Sequence, residues 1–422
     1  MENLVIDERD RLVVITKNHM TLSRVLMFLV LALFLAGQVS ADSRTQAKRI
    51  HDRLAGVAPS IKTLDTMEDL VAQGKFIDAA YIAMDNKHFY STTLVNLITP
   101  WTNEARAVFP EDIDDGILND YTATVIGVIR DDLDFRKILY DDILYHAPAV
   151  SPPYSYSSNA HYKEIEKQGL DLSDDTKLVK VTQSLKTGGV LTAADTAGVI
   201  TSRAGAKAFF VDGTNRAMFR FTVLNHLCQD MEQLKDVTLP SDRIRQDVSR
   251  SPGGDSRIFM NECIGCHTGM DPMTQAFAYY NYDDGANTLV FTGQAGSEQV
   301  QAKNLINSGN FKPGYIVTDD SWVNYWRQGK NSLLGWNSTP LSTSTGKGSG
   351  AKSMAQELAY SDQFARCQVE KVFKAVCLRP PGNSADRTEV NEILGNFKLV
   401  LNGEGYELKR VFAETAAYCK GP

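Results

Sequence analysis

The chain has 422 residues, 43% of them hydrophobic and 23% charged, with a formal net charge of −7. That length exceeds one small module and predicts two or three globular units with ample core. Nothing in that acidic balance suggests nucleic-acid binding, which favours a basic face; solubility is the simplest use of the charge, and steering of a basic redox partner is the alternative.

The chain opens on an export signal. Val25 to Ala36 read VLMFLVLALFLA, an uncharged apolar run preceded by Lys17 and Arg24. Val39-Ser40-Ala41 follows as a small-x-small site, which predicts cleavage after Ala41 and a signal peptide over 1–41. Met20 offers a more compact start, and an uncleaved anchor is the alternative. The run is short for a membrane span and no second candidate follows, so no transmembrane span is expected once the signal is removed.

The remainder reads as mainly α: a helical N-terminal domain over 42–146, a loop-rich connecting region over 147–213, and a second helical domain over 214–422. Helical patterns cover about 43–57, 66–84 and 112–146. In the last, Leu118, Tyr121, Val125, Val128 and Ile129 form a 3,4-spaced stripe. The acids Glu111, Asp112, Asp114 and Asp115 suit the N-terminal end of that helix. Residues 147–161, rich in Pro, Ser and Tyr, form a long loop. A helix resumes near Thr214 and runs to about Leu234, Pro240 stops it, and Ser241 can cap a further short helix. LVFTG and YIVTD, between Asn287 and Asp319, read as a small β-hairpin insertion. A low-complexity loop over 341–352 precedes a helix with a capping-box start at Ser353 and Gln356. The next helix, about 361–379, is stopped by Pro380-Pro381, and two more fill 384–418.

Six cysteines agree with an oxidising compartment. Cys367 and Cys377 share one helix, where ten residues separate their Cα atoms by about 15 Å. A disulfide needs roughly 4.4–6.8 Å, so these two do not pair with each other. If two bridges form outside Cys263 and Cys266, then Cys228 and Cys419 each take one of them. Four buried thiols are the alternative.

The chemistry centres on Cys263-Ile264-Gly265-Cys266-His267, the pattern of c-type haem attachment. Two thiols on one helical turn can reach both vinyl groups of a porphyrin, and the next residue, His267, then projects its imidazole at the iron. Gly265 would remove bulk where backbone nears the ring. One covalent haem c is therefore expected, with Cys263 and Cys266 as attachment points and His267 as the proximal ligand. Three alternatives compete: zinc, a thioredoxin-like CxxC and a simple internal disulfide. A zinc site lacks a second Cys/His pair, and a thioredoxin-like motif belongs at a strand end.

The stretch CIGCHTGMDPMTQAFAYYNYDD resembles exported cytochrome-type proteins of unknown function, abundant in planctomycetes and found in other bacteria. Met270, Asp271, Pro272 and Ala276 match that family's step after the pentapeptide, and Tyr282-Asp283 resembles its aromatic-Asp ending. Thr274 and Ala278 stand where the family has Gly and Glu. Arg216 through Cys228 is similar to a family helix ending in Leu-Cys, and FARCQVEKVFKAVCLR to its C-terminal helix, with Leu378 replacing a usual Gly. RLAG-x-APS at 53–60 and DFRKILYDDILY at 134–145 extend the likeness. The resemblance implies export, to a bacterial periplasm or the extracellular space, and haem. It supplies no reaction.

The sixth iron ligand decides the chemistry. Met354, after the low-complexity loop, is one candidate for the distal position, and Met/His ligation would raise the potential. His226 is the alternative, although a core histidine is the ordinary use of such a residue. Met270 and Met273 lie too close after His267 to reach the opposite face. His51, His88, His146 and His161 read as surface or loop residues. A backbone carbonyl near Pro272 could accept the His267 ring N–H, with Asp271 capping the next turn. Tyr279, Tyr280, Tyr282, Trp322, Tyr325, Trp326 and Trp336 would pack on the porphyrin and the core. The expectation is an exported monohaem cytochrome working in electron transfer with a redox partner protein. A peroxidase- or oxidase-type enzyme and an interaction protein carrying a redox haem are the alternatives. No distal His-Arg pair is legible, which weighs against the enzyme.

Overall fold

A computed structural model describes residues 42–109, 116–211, 213–305, 313–337, 346–400 and 405–421. The predicted signal at 1–41 and the acids from Glu111 to Asp115 lie outside the described residues. The fold is mainly α. Its principal helices are α1 (Ser43–Ala55), α2 (Ile61–Ala72), α3 (Phe76–Met84), α4 (Asp120–Arg130), α5 (Ala160–Lys167) and α6 (Arg203–Phe209). They continue with α7 (Arg216–His226), α8 (Ile264–Thr274), α9 (Gly350–Ala359), α10 (Asp362–Cys377), α11 (Ser384–Lys398) and α12 (Leu408–Tyr418).

Local chemistry sets these boundaries. Asp42 caps α1 by accepting from the Thr45 N–H at 2.7 Å, and Gly56, at φ 71°, ends it. The single helix expected over 66–84 is two, because Gly74 adopts φ 75° between α2 and α3. The long helix expected over 112–146 shortens to α4. Asn119 caps its start and Asp132, at φ 50°, follows its end. Leu144–His146 then forms strand β1, antiparallel to β2 (Val179–Val181). The helix expected to reach Leu234 stops at His226, and Cys228 takes φ 53°. Ser241 caps no helix: turns and bends cover 241–250, and the next short helical turn begins at Pro252. The helix expected to begin at Ser353 begins at Gly350, with Ser349 as its cap.

The hairpin is shifted relative to its expected place. β3 (Tyr280–Asp283) pairs antiparallel with β4 (Thr288–Phe291), Tyr280 opposite Phe291. LVF is therefore a strand, but its partner is YNYD rather than YIVTD. Tyr280 and Tyr282 alternate inward, the period of a half-buried strand. From YIVTD only Tyr315 pairs, in a single bridge to Arg245. A third pair joins β5 (Ser321–Val323) to β6 (Lys347–Ser349), so the loop expected over 341–352 holds an ordered strand in its second half.

One buried cluster draws residues from 42–146, 147–213 and 214–422 alike. α12 packs on α1 and α3, with Ala79, Ala80 and Ala83 of α3 and Ala413 and Ala416 of α12 all fully buried. Such small residues let helix axes approach closely. The region 147–213 is more regular than a connecting loop, since it supplies α5, β2 and α6. Two disulfides pin the C-terminal helices. Cys228–Cys367 (Cα–Cα 5.3 Å) ties the end of α7 to α10, and Cys377–Cys419 (5.5 Å) ties the end of α10 to the end of α12. No described helix is long and apolar enough to cross a membrane.

Candidate functional site

Cys263, Cys266 and His267 sit where a π-helical turn, Phe259–Cys263, runs into α8. Single π turns within helices are frequent at functional positions. The spacing puts Met260, Cys263 and His267 on one helical face, with Cys266 beside them. Cys263 packs on a satellite cluster of Ile244, Val248, Phe259 and Ile264. Burial pushes the Cys266 thiol above its usual value, with Glu232 adding to the effect, which is opposite to what a redox-active CxxC requires. The four cysteines outside the motif pair among themselves, and Cys263 and Cys266 are free thiols, both half-buried.

The first turn of α8 is clamped by the segment before it. The Asp236 N–H donates to the Gly265 carbonyl at 2.8 Å, and the Thr268 hydroxyl donates to the Asp236 carbonyl at 2.9 Å. Gly265 makes room for that segment: a Cβ there would lie 2.5 Å from Lys235 Cγ and 3.3 Å from Val237 Cγ1. One turn on, Gly269 lets the Trp326 indole lie directly against the helix.

His267 is oriented by a side chain. Its Nδ1 lies 3.0 Å from Asp271 Oδ1, one helical turn away, so Asp271 is an acceptor within α8 rather than a cap. No backbone carbonyl near Pro272 serves this purpose. Nε2 makes no hydrogen bond among the described residues. The Asp271 side chain has no exposed surface, and Arg216 grips it with Nε at 2.7 Å and Nη2 at 3.0 Å. The Arg245 backbone N–H adds a contact at 3.2 Å. Burial pushes the Asp271 carboxyl up, yet Arg216, the His267 hydrogen bond and Arg245 together hold it well below the usual carboxylate range. Arg216 turns its other edge to Asp247, at 2.6 and 2.8 Å. Arg245 is itself fully buried, and burial with the neighbouring Arg216 brings its guanidinium down to about 10.

The expected distal candidates lie elsewhere. His226 is at the opposite end of α7 from Arg216, about 15 Å along the axis. Its Nε2 lies 2.8 Å from the Tyr121 hydroxyl, and its ring packs among Trp101, Tyr121 and Phe364. Met354 is fully buried on α9, which rests against Gln275–Phe277, beyond the far end of α8. No hydrogen bond or ring contact joins either residue to His267 among the described residues. Met270 and Met273 belong to the main core. His51, His146 and His161 are buried instead of exposed. His51 bonds the Val57 carbonyl at 3.0 Å and His161 the Pro152 carbonyl at 2.8 Å. The aromatic set packs largely within the protein: Trp326 on Phe219 and Trp336, Tyr280 on Phe210 and Phe291.

Cys266 packs against the main core with its thiol donating to the Met231 carbonyl at 3.6 Å, and the segments near the motif expose apolar side chains. Met260 is 56% exposed, Ile258 42% and Val237 56%. Two free thiols, an imidazole with one nitrogen tethered and the other without a hydrogen bond, and exposed apolar side chains are the groups that a covalently attached haem would use. Among the described residues, no group of three or more His, Cys, Asp or Glu side chains is placed to hold a metal ion. Arg216, Asp247 and Arg245 are the site residues that sequence reading missed. The His267–Asp271 spacing of four was the available signal. The chain matches no family model, no curated protein and no solved structure.

Proposed function

We propose that this chain is an exported monohaem c-type cytochrome that transfers electrons with a redox partner protein. The observation that carries the reading is the tether of His267 Nδ1 to Asp271 beside two cysteines that stay out of the disulfides. Metal-ligating histidines characteristically donate their second ring nitrogen to such a partner, which fixes tautomer and ring direction. Cys263 and Cys266 would hold the porphyrin through thioether bonds, and His267 would present Nε2 to the iron. A haem held there supplies one-electron iron chemistry.

The protein's own contribution is rigidity and exclusion of water. Asp271 orients the imidazole, Arg216 orients Asp271, and the 235–238 segment fixes the helical turn from which both thiols project. Met260, Ile258 and Val237 would cover apolar ring edge that water would otherwise wet. Two disulfides and the apolar run at 25–36 support an oxidising, exported setting.

The test is expression in a bacterium competent to mature c-type cytochromes, followed by haem staining after denaturing electrophoresis. The unmodified protein should retain haem, and Cys263→Ala/Cys266→Ala should lose it while keeping its helical circular-dichroism spectrum. Equal staining of both proteins, or none in either, would contradict the assignment.

A further inference from the structure

The acceptor that holds His267 is a full carboxylate, and this bears on the chemistry of anything ligated at Nε2. A neutral carbonyl would also fix the ring, but a charged acceptor makes a hydrogen bond roughly twice as strong. It draws the Nδ1 proton outward and leaves more negative charge on the imidazole, which raises the basicity of the ligand. An electron-rich ligand stabilises ferric iron relative to ferrous iron.

We propose that Asp271, pinned by Arg216, is a positioning residue that makes the iron at His267 a low-potential centre. The inference rests on the haem reading above and goes beyond it, because it sets the class of partner. Reduction adds one electron, ferric to ferrous, while the Nδ1 proton stays on His267. The donor must therefore be a strongly reducing one-electron partner, and the acceptor can be any centre of higher potential.

Three features carry the argument. The carboxylate is fully buried, so water does not screen its effect on the ring. Its geometry is over-determined, by two contacts from Arg216 and one from the Arg245 N–H. Arg216 does not cancel it, since the same guanidinium is shared with Asp247 through two further bonds. Arg245 approaches Asp247 only to 3.8 Å, places its Nη donors on Thr214 and Asn304, and reaches the Asp271 side chain by charge through space and by its backbone N–H, not by its guanidinium donors.

The test is the midpoint potential of Asp271→Asn beside the unmodified protein, with the mass of both recorded under denaturing conditions. The neutral amide keeps the shape and Arg216 keeps Asp247, but the amide nitrogen must face a donor, so the fold of the variant is checked by circular dichroism alongside. The ferrous form should gain at least tenfold over the ferric at fixed potential, an upward shift of about 59 mV or more for one electron. Asp247→Asn, which spares the His267 contact, should shift the potential less. Haem bound in both proteins with equal potentials would overturn the inference and leave the haem reading standing. An unmodified protein without covalent haem would remove both. If Asp271→Asn does not mature, the iron–histidine stretch of the unmodified ferrous protein decides, measured after photolysis of its carbon monoxide adduct. It should lie towards imidazolate-ligated model haems, and a value matching neutral imidazole models would overturn the inference.

Discussion

Leu378 ends α10 in the left-handed conformation, φ 59°, with its side chain 75% exposed. A Cβ in that conformation crowds the backbone, while glycine adopts it freely. Leu378→Gly should stabilise the protein by about 0.5–1 kcal/mol, after the extra freedom glycine gives the unfolded chain. Thermal unfolding would show it as a raised midpoint, with no gain in Leu378→Ala. Other residues were less legible. The pentapeptide is read directly from the sequence, because its spacing is local. The role of Asp271 was half-visible, since only a partner from α7 explains why a carboxylate is tolerated there. Asp247 and Arg245 come from an irregular segment without periodicity, so nothing local marks them.

Helices survived the passage from sequence to structure where one face is apolar and a capping residue is at hand. α1, α10 and α11 begin within a few residues of their expected starts, at Asp42, Ser361 and Asn383 respectively. Their ends were harder to read, because a single left-handed residue such as Gly74 or Asp132 stops a helix without interrupting the apolar pattern. The hairpin illustrates the other difficulty. YNYD alternates as a strand should, but that short alternation names no partner, and only pairing with Thr288–Phe291 sets the hairpin. Disulfide partners were constrained rather than chosen by the sequence, since helix geometry excludes one pairing and says nothing of the rest. The bond Cys377–Cys419 closes a separation of 42 residues, and a bridge of that kind contributes roughly 2–4 kcal/mol. Cys377→Ser/Cys419→Ser should lose about that much stability. Hydrogen exchange should then rise first in α12, α1 and α3, which pack together, before it rises in α8. Uniform loss across all helices would contradict this account of the packing.

Among the described residues, four histidines are buried and resist protonation. Burial, as the largest cause, lowers His51, His161 and His226 below their ordinary value and brings His146 down to about 4. Unfolded histidines take up protons below about 6.5, whereas these stay neutral in the folded chain. The unfolded state then binds more protons, so stability is full above about 6.5 and falls as pH drops from there towards 4. Chemical denaturation across that window should show the decline, and His146→Gln should flatten it. A stability independent of pH between 6.5 and 4 would contradict the burial of these rings.

The central proposal is that Cys263 and Cys266, which stay out of the two disulfides, carry the haem. The most direct measurement is alkylation of the matured, exported protein after complete reduction and denaturation, read by peptide mass spectrometry. The account predicts label on Cys228, Cys367, Cys377 and Cys419, with Cys263 and Cys266 unlabelled and their peptide heavier by one haem. Label on all six, with that peptide at its unmodified mass, would contradict it.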